Sequence, residues 1–234
     1  MKYCFILFLF VMSSMSAQTT FREGNTWEKE THNEKGKLVE RITYKVVRVD
    51  TVKKEIRITT TSFDAKGKQT RKIDMTNHDR HDTLFVDMKN YFMMRDDFSY
   101  KWRTEPSFIA YPKGLEVGQE LRRATIVYVA VKAPKVATQA GPAVAKNNQV
   151  GTTATFTIES RVVEMKEEVT TPAGTFSAYK ITSRTTLDNK LDYAPVEQKL
   201  IEWFVPGFGV VKSEVYKKDK NVSSWKLTKL SVSK

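Results

Sequence analysis

Two of the three histidines fall within five consecutive residues, His78-Asp79-Arg80-His81-Asp82. Imidazole nitrogens and carboxylate oxygens suit zinc and similar divalent ions, so His78, His81 and Asp82 are the residues whose types could hold a metal. Arg80 in their midst opposes a cation, and spacing marks out no further ligand. The expectation is therefore a solvated loop, with no metal and no cofactor. His32 stands alone beside a turn. The single cysteine, Cys4, leaves no thiols for a disulfide framework, a cysteine-rich zinc module or an iron–sulfur cluster. Nucleophilic catalysis would need a Ser or Thr activated by His78 or His81, and nothing singles one out. The chain has no G-x-S-x-G elbow, no H-E-x-x-H, no phosphate-binding G-x-x-x-x-G-K-[ST] and no G-x-G-x-x-G. Its one G-x-G, Gly207-Phe208-Gly209, lacks the third glycine and leads into a strand pattern, so it reads as a turn. No catalytic residue is expected, and a metal-dependent hydrolase is the least favoured reading.

The other cluster with chemical potential is apolar. Met88, Met93 and Met94 lie among Tyr91, Phe92, Phe98, Tyr100 and Trp102. Flexible, polarisable Met side chains suit adaptable pockets, which makes Met88, Phe92, Met94, Phe98 and Trp102 the candidate lining of a hydrophobic cavity. The same composition also fills ordinary cores, and the sequence leaves both uses open.

The elements that must position these groups follow a period of two. Ile42, Tyr44 and Val46 alternate with polar residues, and Val52 to Thr60 repeats the even-numbered apolar pattern. Such alternation puts one face on a core and one in water, as in an antiparallel strand. Gly-containing turns at 34–37 and 65–68 imply a meander from Thr26 to Asn77. Ala124 to Val131 is apolar on nearly both faces and is expected to be covered on both. Phe156, Ile158 and Val162 continue the even face, and residues 175–186, 200–205, 210–216 and 224–230 supply four more strands, for roughly nine to eleven in all. Leu84 to Arg95 fits a short helix or an irregular crossover. Residues 133–150, rich in Ala, Pro, Gly, Gln and Asn, read as a flexible loop within one sheet system.

Residues 1–17 follow the order of a secretory signal peptide: Lys2, then the apolar run Phe5 to Met12, then small residues ending at Ala17. The run is far short of the roughly 20 residues that span a bilayer. Cys4 would leave with the signal, ahead of a single β-rich domain over 18–234. The formal net charge of +12 suggests attraction to anionic surfaces, with strand-edge protection by Lys as the plainer alternative. Export argues against nucleic acid as the partner.

The run from Glu168 to Ile181, with Thr171-Pro172-Ala173-Gly174-Thr175-Phe176 at its centre, is similar to the V-T-x-P-A-G-T-F-x-A-x-K-I stretch of exported TapB-like envelope proteins. Trp203-Phe204-Val205-Pro206-Gly207-Phe208-Gly209-Val210-Val211-Lys212 resembles their W-[FY]-x-P-G-x-G-x-V-K run, and Tyr111 to Leu121 resembles P-x-x-L-x-V-G-x-x-L. The resemblance implies a curled antiparallel β-structure in a Gram-negative envelope of the Bacteroidota kind, and brings no catalytic residues. Its marks read as structure: Gly174 turns a hairpin, Phe176 and Trp203 anchor a core, and Pro206, Gly207 and Gly209 link two strands.

The expected protein is mainly β, an antiparallel curled sheet forming an open or half-closed barrel with few short helices. It is exported to the periplasm or cell surface, without a transmembrane span. Its expected role is non-enzymatic: binding an apolar ligand such as a lipid or acyl chain, or a protein partner. A purely structural or interaction module at the cell surface is the competing reading.

Overall fold

The computed structural model describes residues 21–92, 100–132, 149–190 and 194–233. The expected signal peptide, most of the 133–150 loop, Met94 and Phe98 lie outside the described residues.

Fourteen strands form one antiparallel sheet among the described residues. They are β1 (Thr26–Asn33), β2 (Leu38–Asp50), β3 (Glu55–Asp64), β4 (Gln69–Arg80), β5 (Thr83–Asp87), β6 (Tyr100–Thr104), β7 (Phe108–Pro112), β8 (Glu120–Leu121), β9 (Ala124–Lys132), β10 (Gln149–Thr171), β11 (Gly174–Asn189), β12 (Val196–Val205), β13 (Gly209–Lys217) and β14 (Lys220–Ser231). The sheet runs β6-β9-β10-β11-β12-β13-β14-β1-β2-β3-β4-β5-β7, with β8 on β10. The two terminal strands, β6 and β7, do not pair with each other, so the sheet is curled but not closed. Side chains join its two ends instead. Arg161 Nη1 donates to the carbonyls of Ala110 on β7 (3.0 Å) and of Arg122 (2.9 Å), and Ser107 Oγ donates to Thr125 O.

The period of two sets which residues line the inside. Tyr44 and Val46 on β2, Ile56 and Ile58 on β3, and Ala124, Ile126, Tyr128 and Ala130 on β9 are all buried even-numbered residues. The β9 strand is covered on one face only: Val127 remains 44% exposed, against the expectation of two covered faces. A β-branched side chain suits the outer surface of a strand as well as its core, so an apolar run alone does not reveal a second layer. The strand with both faces buried is β12. Leu200 and Phe204 join the barrel core, while Ile201, Trp203 and Val205 join a second cluster with Val169, Ala178, Phe208 and Leu227.

The turns follow local chemistry. Asn33 and Asp64 each accept backbone N–H bonds from the residues two and four further on, and Gly36 (φ +69°) and Gly67 (φ +82°) supply the left-handed residue of each turn. At 50–54 the same device shortens an expected strand. Asp50 Oδ1 accepts from Val52 N and Lys53 N, Lys54 turns at φ +58°, and Val52 is left exposed before β3 begins at Glu55. The strand total exceeds the expected nine to eleven because short segments such as β5, β6 and β8 carry too few residues to display a period. Leu84 belongs to β5, and a single 3-10 turn, Met88–Asn90, follows it. Across the 133–150 segment β9 and β10 pair directly, Val131 opposite Gln149.

The β10 strand also departs from its pattern. Ser160 adopts φ +51° at an irregularity between Glu159 and Val162. An inserted residue reverses the inside and outside of everything that follows. Ile158 faces inward before the bulge, Arg161 and Val163 after it, and Val162 is only half-buried.

Candidate functional site

The inside of the curl carries charge. Alternation along β1 places Trp27, Lys29 and Thr31 on one face, and along β12 it places Glu202 between Leu200 and Phe204. With Arg161 from the bulged strand, these are charged groups in the most water-poor part of the molecule. Burying a charge is tolerated only where hydrogen bonds or opposite charge compensate it.

Glu202 is compensated. Tyr111 Oη donates to its Oε2 at 2.9 Å, and the Tyr91 hydroxyl hydrogen-bonds in turn to that of Tyr111. The Tyr111 ring stacks on Phe204 at 4.4 Å between centroids, and its other face carries the Arg161 guanidinium at 4.7 Å. Burial raises the Glu202 carboxyl above the usual carboxylate range, while Arg161 and the two tyrosines pull it back. Burial beside Glu202 also drives both phenols well above 10, which keeps them protonated donors.

The 3-10 turn brings the other wall inward. Asp87 N donates to Asn77 Oδ1 (3.0 Å), Asp87 Oδ1 accepts from Lys89 N, and Met88 N donates to Ser107 O. Thus anchored, the turn presents Asn90, Tyr91 and Phe92 to the interior. Asn90 Oδ1 accepts from Tyr44 Oη (2.9 Å), Phe92 O accepts from Tyr128 Oη (2.8 Å), and the Phe92 ring stacks on Phe156 at 5.0 Å.

Between these walls lies a cavity of about 300 Å³. Phe92, Phe156, Ile42, Leu200, Val210 and Val215 supply its apolar lining, and Lys29, Arg71, Lys89, Glu40 and Glu202 its charged lining. Arg71 pairs with Glu40 (3.6 Å), and Lys89 with Asp87 (3.2 Å). Lys29 is 7% exposed and forms no ion pair or hydrogen bond among the described residues. Its ammonium lies over the rings of Trp225 (4.5 Å) and Tyr44 (5.3 Å). Burial pushes it down to about 8, against the pull of Glu40 and Glu202.

Of the residues singled out by the apolar cluster, Phe92 lines this cavity. Met88 is fully buried in the core, and Trp102 is half-buried on β6 against the same core. His78, on β4, packs its ring edgewise on Phe108 at 4.8 Å, and burial with Arg80 nearby lowers its affinity for protons. His81 forms the β4–β5 turn at φ +49°, where Asp82 Oδ1 accepts from Thr83 Oγ1. Among the described residues no three His, Cys, Asp or Glu side chains gather where a metal could be held.

The motif residues have structural surroundings. Gly174 (φ +134°) closes the β10–β11 hairpin, where Thr171 Oγ1 accepts from Ala173 N. Phe176 stacks on Phe208, and buried Trp203 donates to Glu167 Oε1 at 2.7 Å beneath Lys212. Pro206, Gly207 and Gly209 make the β12–β13 turn, with Phe208 N bonded to Val205 O. The third motif begins on Tyr111, a member of the interior network.

Lys29, Arg161 and Glu202 were not singled out in the sequence. Glu202 had a signal: it is the lone charge in Leu200-Ile201-Glu202-Trp203-Phe204-Val205. Lys29 shares the parity of Trp27. For Arg161 the bulge at Ser160 removed the signal, since the uninterrupted pattern would place it outside.

A curled, unclosed antiparallel sheet with a polar network inside defines the class of protein. A family profile matches residues 22–227, and the chain belongs to the DUF3108-like family. Two crystal structures share its fold. One is a protein from Parabacteroides distasonis ATCC 8503, provisionally termed a lipoprotein, at 21% identity and a TM-score of 0.72, covering 90% of this chain and 96% of that one. The other is a provisionally exported protein of YmcC-like fold from Bacteroides fragilis NCTC 9343, at 18% identity and a TM-score of 0.67, covering 90% and 97%. At these identities the likeness is one of fold. No curated protein matches the chain. None of these comparisons carries the TapB-like name, which rests on the three motifs alone. No helix among the described residues is long and apolar enough to cross a membrane.

Proposed function

We propose that this is an exported, non-enzymatic envelope protein, one β-rich domain whose interior binds a small amphipathic ligand of the lipid or acyl-chain type. The observation that carries the reading is the cavity of about 300 Å³, whose lining mixes apolar and charged side chains. That volume lies at the lower end of the range for ligand pockets, roughly 300 to 1,000 Å³. The apolar run before Ala17 supports export, as do the provisional names of the two structural relatives, lipoprotein for one and exported protein for the other. The TapB-like motifs point the same way.

Native mass spectrometry of the protein purified from its own source, followed by organic extraction, tests the reading. An apolar adduct at one per chain supports it, and a clean mass on a well-folded protein refutes it. Chelator-sensitive hydrolysis lost in His78→Ala would instead establish an enzyme.

Docking of a protein partner is the second reading. An outer groove of about 860 Å³, bordered by Ser160, Arg184, Pro195, Val196, Lys199 and Tyr216, favours it. A clean native mass together with crosslinked partner capture, lost on Val196→Asp, would move the function there.

A further inference from the structure

Resting on the interior-ligand reading, we infer that the ligand carries a single negative charge, a carboxylate, and that Lys29 is the residue that binds it. Two of the three cations that line the cavity already have ion-pair partners. Arg71 faces Glu40 at 3.6 Å and Lys89 faces Asp87 at 3.2 Å, while Arg161 lies outside that lining, over the Tyr111 ring. Lys29 is the exception: more than nine-tenths buried, lining the cavity, and held only by the faces of Trp225 and Tyr44.

An ammonium with no acceptor among the described side chains keeps its donors available to a ligand, and aromatic faces replace only part of what water would give. A carboxylate in the cavity supplies both the acceptors and the charge. One cation without an ion pair matches one negative charge. A phosphate monoester, nearer two charges, would bring a second that Glu40 and Glu202 oppose.

Phe92, Phe156 and Leu200, which also line the cavity, accept the apolar remainder. The ligand class is thus a carboxylic acid with an apolar chain, for which decanoate is the probe.

The test compares decanoate, decanol and decyl phosphate on the full chain, by calorimetry and by the fluorescence of Trp225 beside Lys29. The expected result is decanoate bound at least about tenfold more tightly than decanol, with the ratio falling to within about twofold in Lys29→Met. The wild-type comparison stands even if that variant folds poorly. Equal binding of decanoate and decanol, unchanged in Lys29→Met, overturns the carboxylate and leaves the apolar-ligand reading intact. Preference for decyl phosphate overturns the assigned class. Failure of all three probes, with a clean native mass, overturns both readings.

Discussion

Replacing Lys29 by methionine keeps an unbranched side chain, one atom shorter, and removes its charge, so it reports the energetic consequence of burying an ammonium without an ion pair on β1. The drop from 10.5 to about 8 corresponds to roughly 3 kcal/mol of preference for the neutral form in the folded state. The faces of Trp225 and Tyr44 offset part of this, about 0.5 to 2 kcal/mol for a desolvated cation over an aromatic ring. The ligand-free Lys29→Met protein should therefore be more stable than the parent at pH 7, by about 1 to 2 kcal/mol. Because the folded-state value is the lower one, the unfolded chain binds more protons between about 8 and 10.5, and the parent gains stability as pH rises through that window. The variant has no such term, and its advantage should shrink by up to about 1 kcal/mol between pH 7 and 9.5. Urea unfolding of both proteins at the two pH values measures this, and the tyrosines cancel in the difference. A variant at least about 1 kcal/mol less stable than the parent at pH 7, or an advantage that does not change with pH, would refute the reasoning. The buried charge is then a cost to the empty fold, which fits a residue kept for binding.

Arg161→Met should lose about 3 to 5 kcal/mol, because it leaves Glu202 without its compensating charge and frees the carbonyls of Ala110 and Arg122. Amide hydrogen exchange should then rise on β7 before it rises on β2 or β3; uniform protection would contradict the role of Arg161 in joining the sheet's ends. Tyr111→Phe removes the donor to Glu202 and should cost about 1 to 3 kcal/mol in urea unfolding. It should also lift the Glu202 carboxyl further. A raised folded-state value makes stability fall as pH climbs through the window above 4.5, so the deficit should be larger at pH 8 than at pH 5. Gly174→Ala should lose roughly 1 to 3 kcal/mol in thermal unfolding, from backbone strain at φ +134°, since the added methyl would meet only Phe176 Cζ at 4.0 Å.

Much of the fold was legible because most strands of the curled sheet bury one face only. Ile42, Tyr44 and Val46 report their environment directly, and the Asn33 and Asp64 turns are made from groups within five residues of one another. The candidate site was legible only in part. Phe92 was found because aromatic residues cluster around it, and Tyr111 fell within a quoted motif. Lys29 and Glu202 escaped because charged side chains in strands are ordinarily on the outside, and alternation gives two faces without saying which is inner. Arg161 escaped because Ser160 adds a residue to β10 that no composition signal announces.

By itself the sequence determined the class of structure: an antiparallel β-protein, with turns at Gly36, Gly67, Gly174 and Gly207, and with one cysteine and three histidines to exclude several chemistries. Those features depend on residues that are near one another along the chain. Only the tertiary structure decided that β1, β7, β10 and β12 bring Lys29, Tyr111, Arg161 and Glu202 into one interior. The Tyr111–Glu202 hydrogen bond spans 91 residues. Such a contact is set by the curl of the whole sheet and by a bulge that reverses one strand, and no local pattern encodes either.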